Sequence, residues 1–426
     1  MTGPDPAVFA QRRGPGPARR IDGFGQSVIR EMTRLADAHG AVNLSQGFPD
    51  FPAPDEVKEA AVAAIRGDVN QYAVTWGSPA LRHAIAESYV SRGWPQVDPD
   101  CEVTVACGAT ETIGAVVLAL VEEGSEVLVF EPLHESYAPA MQLAGARAVP
   151  VPLRPPGWTF DPDELARLAG PRTAAIVVTN PHNPTGRVFS LAELGAIADL
   201  CRERDLLAIT DEIYEHILYE GEHRFLARLP GMADRTVTVS ALSKTYAVTG
   251  WRVGWAVAPP RFTDAIRKVH DFLTIAAPAP LQAAGVTALG LGPDYQRRLA
   301  AEYLDRRDDA LLTLAEAGIA ATSPQGAYYI LGDVSPHIAA GGFADATDFS
   351  RWLVRDAGVA VVPGPALYLT PGQGSSLVRV AFPKRQETMD TARQRLVGAA
   401  RSLGVEPLPV FAQRHPGRAT AGPGDS

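Results

Sequence analysis

The chain has 426 residues, which is enough for two domains with a large core, and its 46% hydrophobic and 20% charged residues are ordinary for a soluble globular protein. The net charge of −9 argues against a nucleic-acid partner, and no apolar run reaches the roughly 18 residues of a membrane span. Cys101, Cys107 and Cys201 have neither metal nor disulfide spacing, so we expect no metal site and a cytoplasmic location.

The N-terminal part predicts helices separated by a loop. Residues 1–18 are rich in glycine and proline, and we expect them to be a disordered extension. Apolar residues recur at helical spacing over residues 26–38, and residues 43–52 have the glycine and proline content of a loop. Two further helices are expected, one that begins at Pro54 and ends before Gly67 and one that begins at Ser78.

From residue 102 onward, short apolar strands alternate with helices. Seven strands are predicted, at residues 102–106, 126–130, 148–151, 174–179, 206–210, 236–240 and 253–257. This alternation argues for an α/β fold, in which a mainly parallel seven-stranded sheet lies between helices. Ligands of such sheets bind at the carboxyl ends of the strands.

The C-terminal part predicts a long helix over residues 293–317 and then a smaller α+β domain. Its strands are expected at residues 328–331, 359–362 and 377–382. The predicted division of the chain is a disordered extension (1–18), an N-terminal segment that contributes to the small domain (19–55), a large domain (56–295), a small domain (296–405) and a disordered tail (406–426).

Lys244 lies between two apolar runs, just after the strand at residues 236–240 and before residues 251–257. A lysine in such a place is costly unless it is paired or used covalently, although most lysines are solvated surface groups. Arg252, in the second run, is placed to meet a phosphate. Lysine forms a Schiff base with aldehydes, and the cofactor aldehyde that also carries a phosphate is pyridoxal phosphate.

Three other segments follow predicted strands and suit the same cofactor. Residues 107–111 (Cys-Gly-Ala-Thr-Glu) open a helix whose free amides can bind phosphate, although a plain tight turn is the alternative. The stiff loop at residues 180–186 (Asn-Pro-His-Asn-Pro-Thr-Gly) would hold Asn183 at the sheet edge. Asp211 can pair with a protonated pyridine nitrogen, with Tyr214 near the ring hydroxyl, or it can cap a helix.

These motifs resemble the class I aminotransferases of pyridoxal-phosphate fold type I. The branch with the most similar motifs contains kynurenine, glutamine–phenylpyruvate, methionine and N-succinyldiaminopimelate aminotransferases. The resemblance covers residues 19–405 and rests on residues 43–51, 180–186, 211–215, 243–255, 324–328 and 378–382.

The resemblance implies a role for each matching residue. Lys244 is the Schiff-base lysine and the acid/base, and Asp211 and Tyr214 act with it on the cofactor ring. The implied cofactor-binding residues are Gly108, Ala109, Thr110, His134, Asn183, Asp211, Tyr214, Ser243, Lys244, Arg252 and Tyr72. Gly47, Asn183 and Arg379 would bind the substrate α-carboxylate, although a surface salt bridge is the alternative for Arg379. Tyr72 would reach the phosphate of a neighbouring subunit, which implies a homodimer.

Two positions depart from the family pattern. His134 replaces the aromatic residue that stacks on the cofactor, and it either stacks in the same way or titrates as a second acid/base. Ala241 replaces a serine or threonine that touches the phosphate, and Ser243 and Ser240 are the candidates to compensate.

The favoured function is a ping-pong aminotransferase that moves an amino group between an L-amino acid and a 2-oxo acid through Lys244. The alternative is an elimination, replacement or cyclisation enzyme on the same scaffold, which His134 would favour. A cofactor-binding transcription regulator is disfavoured, because only residues 1–18 precede the fold and the net charge is acidic.

Overall fold

The structure is a computed structural model that describes residues 16–22, 25 and 27–409. The predicted disordered extension and tail therefore fall mostly outside the described residues. The first elements are α1 (Val28–His39), β1 (Val42–Asn43), α2 (Asp55–Arg66) and α3 (Pro79–Val90). Ser27 caps the start of α1 by accepting a hydrogen bond from the amide of Arg30, and Gly40 ends it in the left-handed conformation. All three predicted helices are confirmed.

Strands and helices alternate in the middle of the chain. The elements are β2 (Val103–Ala106), α4 (Ala109–Leu120), β3 (Glu126–Glu131), α5 (Tyr137–Leu143), β4 (Arg147–Pro152), α6 (Pro162–Leu168), β5 (Thr173–Thr179), α7 (Leu191–Glu203), β6 (Leu207–Asp211), β7 (Thr236–Ala241), α8 (Leu242–Thr245) and β8 (Gly254–Val257). The sheet order is β2-β8-β7-β6-β5-β3-β4, and only β8 runs antiparallel to its neighbours. The predicted seven-stranded, mainly parallel sheet is confirmed.

Both faces of this sheet are buried, as the continuous apolar runs of its strands require. Alternate residues of a strand point to opposite faces. In β3, Val127 and Val129 join the core that contains α4 and α5, whereas Leu128 and Phe130 join the core that contains α6 and α7. The polar residues that follow the strands therefore lie at the edge of the sheet where the strands end.

The remaining elements form three long helices and a smaller region. They are α9 (Pro260–Thr274), α10 (Ala279–Gly290), α11 (Gly292–Glu316), β9 (Ala320–Ala321), β10 (Tyr329–Asp333), α12 (Ser335–Gly341), α13 (Ala346–Trp352), β11 (Val359–Ala360), β12 (Val362–Pro363), β13 (Leu377–Ala381) and α14 (Gln386–Leu403). An antiparallel sheet has the order β12-β13-β10-β9, and β1 pairs with β11 in a separate two-stranded sheet. This pairing joins the N-terminal segment to the small region, and we propose the predicted domain boundaries on that basis.

Two local predictions were wrong. Residues 359–362 form two strands in two different sheets, because the chain leaves β1 at Ala360 and joins β13 at Val362. The run at residues 251–257 becomes a strand only at Gly254, after a tight turn at Thr249–Trp251. Lys244 lies in the short helix α8, directly after β7, in agreement with its predicted place just after that strand.

Among the described residues, none of the helices combines the length and hydrophobicity that a membrane span needs.

Candidate active site

A pocket lies at the edge of the large sheet where β2, β5, β6 and β7 end. It is lined by nine of the residues predicted from the sequence: Ala109, Thr110, His134, Asn183, Asp211, Tyr214, Ser243, Lys244 and Arg252. These residues come from six separate loops and helix starts, so the parallel sheet brings them together.

Lys244 is held above the pocket by the short helix α8. Its Nζ donates a hydrogen bond of 2.9 Å to the carbonyl of Gly47, which also accepts one from the Tyr328 hydroxyl at 2.7 Å. Burial lowers the pKa of Lys244, and the cations Arg379 and Arg252 lower it further. The lowered pKa makes the neutral amine, which is the nucleophilic and basic form, easier to reach at Nζ than at an exposed lysine.

Asp211 is the last residue of β6 and is 7% exposed. Its Oδ2 accepts a hydrogen bond of 2.6 Å from the hydroxyl of Tyr137, and that hydroxyl also lies 2.7 Å from Oγ1 of Thr179. Burial raises the pKa of Asp211, and the bond from Tyr137 opposes this rise. Among the described residues Tyr137 is the one side-chain donor to this buried carboxylate, which is therefore suited to a cationic partner in the pocket, such as a protonated ring nitrogen.

The start of α4 forms a cradle against Arg252. Gly108 has φ = 84°, and a Cβ atom there would lie 2.4 Å from Nη2 of Arg252. In the described part of the chain, no side chain caps this helix start, so its amides stay free for an anion. Only glycine permits this close approach, and the cradle has the donors and charge that a phosphate group needs.

Arg379, on β13 and 1% exposed, does not line the pocket itself but lies beside its lining residue Asn183. Its Nη2 donates to the carbonyl of Ser45 at 2.7 Å, and its Nη1 donates to Oδ1 of Asn183 at 3.4 Å. The Nε of Arg379 has no partner among the described residues although it is buried. A buried guanidinium without a carboxylate beside it is an electrostatic cost that a substrate carboxylate would remove.

Tyrosine and serine side chains make up further parts of the pocket wall. The hydroxyl of Tyr214 lies 3.0 Å from that of Tyr329, so it is held at the pocket wall. Ser243 lines the pocket beside Lys244. Ser240 instead donates to Glu215 at 2.9 Å, which leaves Ser243 as the serine placed to compensate for Ala241.

His134 lies at the pocket wall with its Nδ1 2.7 Å from Oγ of Ser136. Burial lowers the pKa of His134 to about 3, and the nearby cations Arg379 and Lys244 act in the same direction. The imidazole is therefore neutral near pH 7. This favours stacking over the alternative of a second acid/base that titrates near neutral pH.

Two predicted residues occupy different settings. Gly47 belongs to the segment that crosses the site, and a Cβ atom there would lie 1.9 Å from the Tyr329 hydroxyl oxygen. Tyr72 is 83% exposed and does not line the pocket of its own chain.

Sequence reasoning missed several residues that contribute to the pocket. Tyr137, Thr179, Ser136 and Thr249 all line it. Tyr137 follows His134 by three residues and opens α5, and Thr179 is the last residue of β5. Thr179 could have been found, because polar residues at the ends of these strands face the site.

The comparisons with known proteins agree with this geometry. Residues 39–396 match the family model described as aminotransferase class I and II. The chain is 41% identical over 389 residues to a probable N-succinyldiaminopimelate aminotransferase of Mycobacterium tuberculosis, which covers 88% of this chain and 97% of that protein. It is 35% identical over 381 residues to the methionine aminotransferase of Escherichia coli, covering 89% of this chain and 97% of that protein.

A solved structure gives the same result for the fold. The structure of N-succinyldiaminopimelate aminotransferase from Mycobacterium tuberculosis matches with a TM-score of 0.87 and 40% identity, covering 90% of this chain and all of that one.

Proposed function

We propose that this chain, which belongs to the class I and II aminotransferase family, transfers amino groups in the pocket around Lys244, with pyridoxal phosphate as its cofactor. Membership of the family establishes the amino-group transfer and implies the cofactor. The assignment of the individual residues is our proposal. The observation that carries it is a lysine with a lowered pKa in one pocket with a buried carboxylate and a glycine–arginine cradle.

The residues present fit the cofactor at three points. The amides at the start of α4 and Arg252 would hold its phosphate, with Ser243 beside them. Asp211 would hold its ring nitrogen, and Asn183 and Tyr214 its ring hydroxyl. When bound, pyridoxal phosphate supplies an aldehyde that condenses with amines and a ring that withdraws electrons from the substrate α-carbon.

Lys244 moves the proton. Its Nζ would take the proton from the α-carbon of the amino acid and return it to the carbon that the cofactor aldehyde supplies. The lowered pKa of Lys244 favours the basic form that starts this transfer. The carbonyl of Gly47 fixes the direction of Nζ through the 2.9 Å bond.

Arg379 binds the substrate α-carboxylate and thereby orients the α-carbon toward Lys244. Asn183 supports the guanidinium, and Nε of Arg379 is the donor still free among the described residues. Because every amino acid and every 2-oxo acid carries this carboxylate, the same contact serves both halves of the ping-pong cycle.

We further propose a cytoplasmic homodimer in which Tyr72 reaches the phosphate of the neighbouring subunit. The exposure of Tyr72 supports this proposal, because its side chain is free to contact a neighbouring subunit. The segment with Tyr72 packs on α9, where His270 Nε2 lies 2.9 Å from the carbonyl of Thr75. Three apolar side chains at the end of α9 are also exposed: Phe272, Leu273 and Ile275.

The elimination or replacement alternative has no support in the structure. His134 was the residue that favoured it, and burial keeps that imidazole neutral.

The function is tested with purified protein loaded with pyridoxal phosphate. Single L-amino acids are added first, and the absorbance of the cofactor is followed. We expect at least one amino acid to convert the cofactor to its amine form and pyruvate or 2-oxoglutarate to reverse the change, with the α-nitrogen recovered in the new amino acid. Release of ammonia with the cofactor aldehyde regenerated would contradict amino-group transfer.

A further inference from the structure

The backbone segment 45–48 presents its carbonyl groups alternately to two sides. The carbonyls of Ser45 and Gly47 face the site and accept hydrogen bonds from Arg379 and Lys244 at 2.7 and 2.9 Å. The carbonyls of Gln46 and Phe48 accept hydrogen bonds from a third cation instead. Ser45, Gln46 and Phe48 lie at bends of the chain, and neighbouring carbonyls share one backbone, so a change in direction on one side is passed to the other.

The third cation is Lys384, which is 3% exposed and lies between β13 and α14. Its Nζ donates to the carbonyl of Phe48 at 2.9 Å and to that of Gln46 at 3.3 Å. The Phe48 ring also lies under the ammonium group, 4.8 Å away. Hydrogen bonds from a charged donor are stronger than neutral ones, so Lys384 holds both carbonyls firmly.

The ends of the segment are fixed to the same part of the small region. The carbonyl of Leu44 accepts from the amide of Ala381 at 2.8 Å. Beyond the segment, Asp50 accepts from the amide of Arg385 at 2.6 Å and from the hydroxyl of Thr388 at 2.7 Å. Because both ends are anchored, the direction of the carbonyls of residues 45–48 depends on the hydrogen-bond donors that they contact.

We propose that Lys384 is a positioning residue for amino-group transfer: it holds the carbonyls of Gln46 and Phe48 so that those of Ser45 and Gly47 stay aimed at Arg379 and Lys244. Lys384 touches neither the pocket nor the residues assigned to the cofactor. It acts through segment 45–48, whose other two carbonyls orient the carboxylate-binding arginine and the catalytic lysine. The inference rests on the proposed function of those two residues.

The experiment replaces Lys384 with methionine, which keeps the length of the side chain but removes its donors. Hydrogen exchange of the amides at residues 45–50 is measured together with the kinetics of both half-reactions. We expect exchange in this segment to accelerate about tenfold or more, and KM for the amino acid and for the 2-oxo acid to rise about tenfold, with a smaller fall in kcat. Cofactor occupancy should stay unchanged.

Two variants separate positioning from general stability. Lys384→Arg retains a cation with several donors, and we expect it to restore most of the protection and the KM values. Arg393→Met removes a cation of α14 that pairs with Glu316, away from the segment. It should change neither the protection of residues 45–50 nor the KM values. If Lys384→Met does not fold, Lys384→Gln, which keeps one amide donor, is measured in the same way.

Unchanged exchange at residues 45–50 in Lys384→Met or Lys384→Gln would overturn the inference. Exchange that rises equally throughout the protein would also overturn it, because the role would then be purely structural. The exchange measurement needs no turnover, so it decides the role of Lys384 even if the wild-type protein transfers no amino group, a result that would instead refute the proposed function.

Discussion

Tyr137 and His134 stand three residues apart, and burial acts on their pKa values in opposite directions. Burial raises the pKa of Tyr137 well above its usual value, so its hydroxyl stays protonated and donates to Asp211. Burial lowers the pKa of His134 to about 3, so its ring stays neutral. Both effects keep the side chains of Tyr137 and His134 uncharged, so that neither adds a charge beside Asp211.

Replacing Tyr137 with phenylalanine should weaken the ionised form of Asp211. The variant loses a hydrogen bond to a charged group, which contributes about 1.5–3 kcal/mol. We expect kcat to fall roughly tenfold or more and the affinity for pyridoxal phosphate to decrease as well. Steady-state kinetics and equilibrium dialysis of the cofactor measure the two effects.

Thr179→Val is the matched control, because it removes the second partner of the Tyr137 hydroxyl but leaves the bond to Asp211. Its effect should be clearly smaller. Equal losses in the two variants would contradict a specific role for the bond between Tyr137 and Asp211.

Replacing His134 with phenylalanine should leave the pH dependence of kcat unchanged. The pKa of His134 is about 3 in the folded protein, so its protonation falls below the pH range in which the enzyme is assayed, and between about pH 5 and 9 the ring carries no charge. We expect activity within a few-fold of wild type, since phenylalanine stacks at least as well. The loss of a titration near neutral pH in the variant would contradict the neutral assignment.

Some of these site residues can be predicted from the local sequence, whereas their long-range hydrogen bonds cannot. Lys244, Asp211, Asn183 and Arg379 stand in motifs next to predicted strands, so their assignment needed only local patterns. The bond from Tyr137 to Asp211 joins positions 74 residues apart, and the bonds from Lys384 to the 46–48 carbonyls join positions more than 330 apart. No local pattern encodes such pairs, because the chain path that closes them is set by the whole sheet.

Helix α4 is the element on which the phosphate cradle depends. Its first residue follows Gly108, which must hold φ = 84° and leave room for Arg252. Replacement of Gly108 by alanine places a Cβ atom 2.4 Å from the guanidinium and strains the backbone. We expect the affinity for pyridoxal phosphate to fall about tenfold or more, measured by equilibrium dialysis.

Gly114 lies inside the same helix and provides the control. A Cβ atom at Gly114 meets nothing within 4 Å. Gly114→Ala should therefore keep the cofactor affinity and raise the free energy of unfolding by about 0.5–1 kcal/mol, because alanine favours the helix. A Gly108→Ala variant that binds the cofactor as tightly as Gly114→Ala would refute the cradle.

At the level of elements, prediction succeeded where burial was uniform. Six of the seven strands of the large sheet are buried along most of their length, so their apolar runs were clear, whereas the edge strand β4 is only partly buried. Prediction failed at residues 359–362, where Val361 is as apolar as its neighbours but the chain passes from one sheet to another. Hydrophobicity reports burial and does not report which sheet a residue joins.

The whole molecule has an exposed apolar surface that argues for a partner copy. Phe272 is 92% exposed, and it lies on α9, against which the Tyr72 segment packs. We expect Phe272→Glu to shift the protein from dimer to monomer in analytical ultracentrifugation, because a charge would be buried without a partner. Leu191→Glu, an exposed leucine at the start of α7, should leave the dimer intact. A wild-type monomer would contradict the proposed homodimer.

Of the four lysines of the chain, only Lys244 lines the described pocket. Lys58 and Lys268 pair with aspartates at the surface, and Lys384 is bonded to the backbone segment behind the site. We therefore expect a covalent bond to the cofactor at Lys244 alone. The other three lysines serve as internal controls for non-specific modification.

The most direct measurement is reductive trapping of the loaded protein with borohydride, followed by peptide mapping by mass spectrometry. Our account predicts a phosphopyridoxyl group on Lys244 alone, and none anywhere in Lys244→Ala. Trapping at Lys58, Lys268 or Lys384 to a similar extent, or an unmodified Lys244 in the wild-type protein, would contradict the claim that amino-group transfer is organised around Lys244.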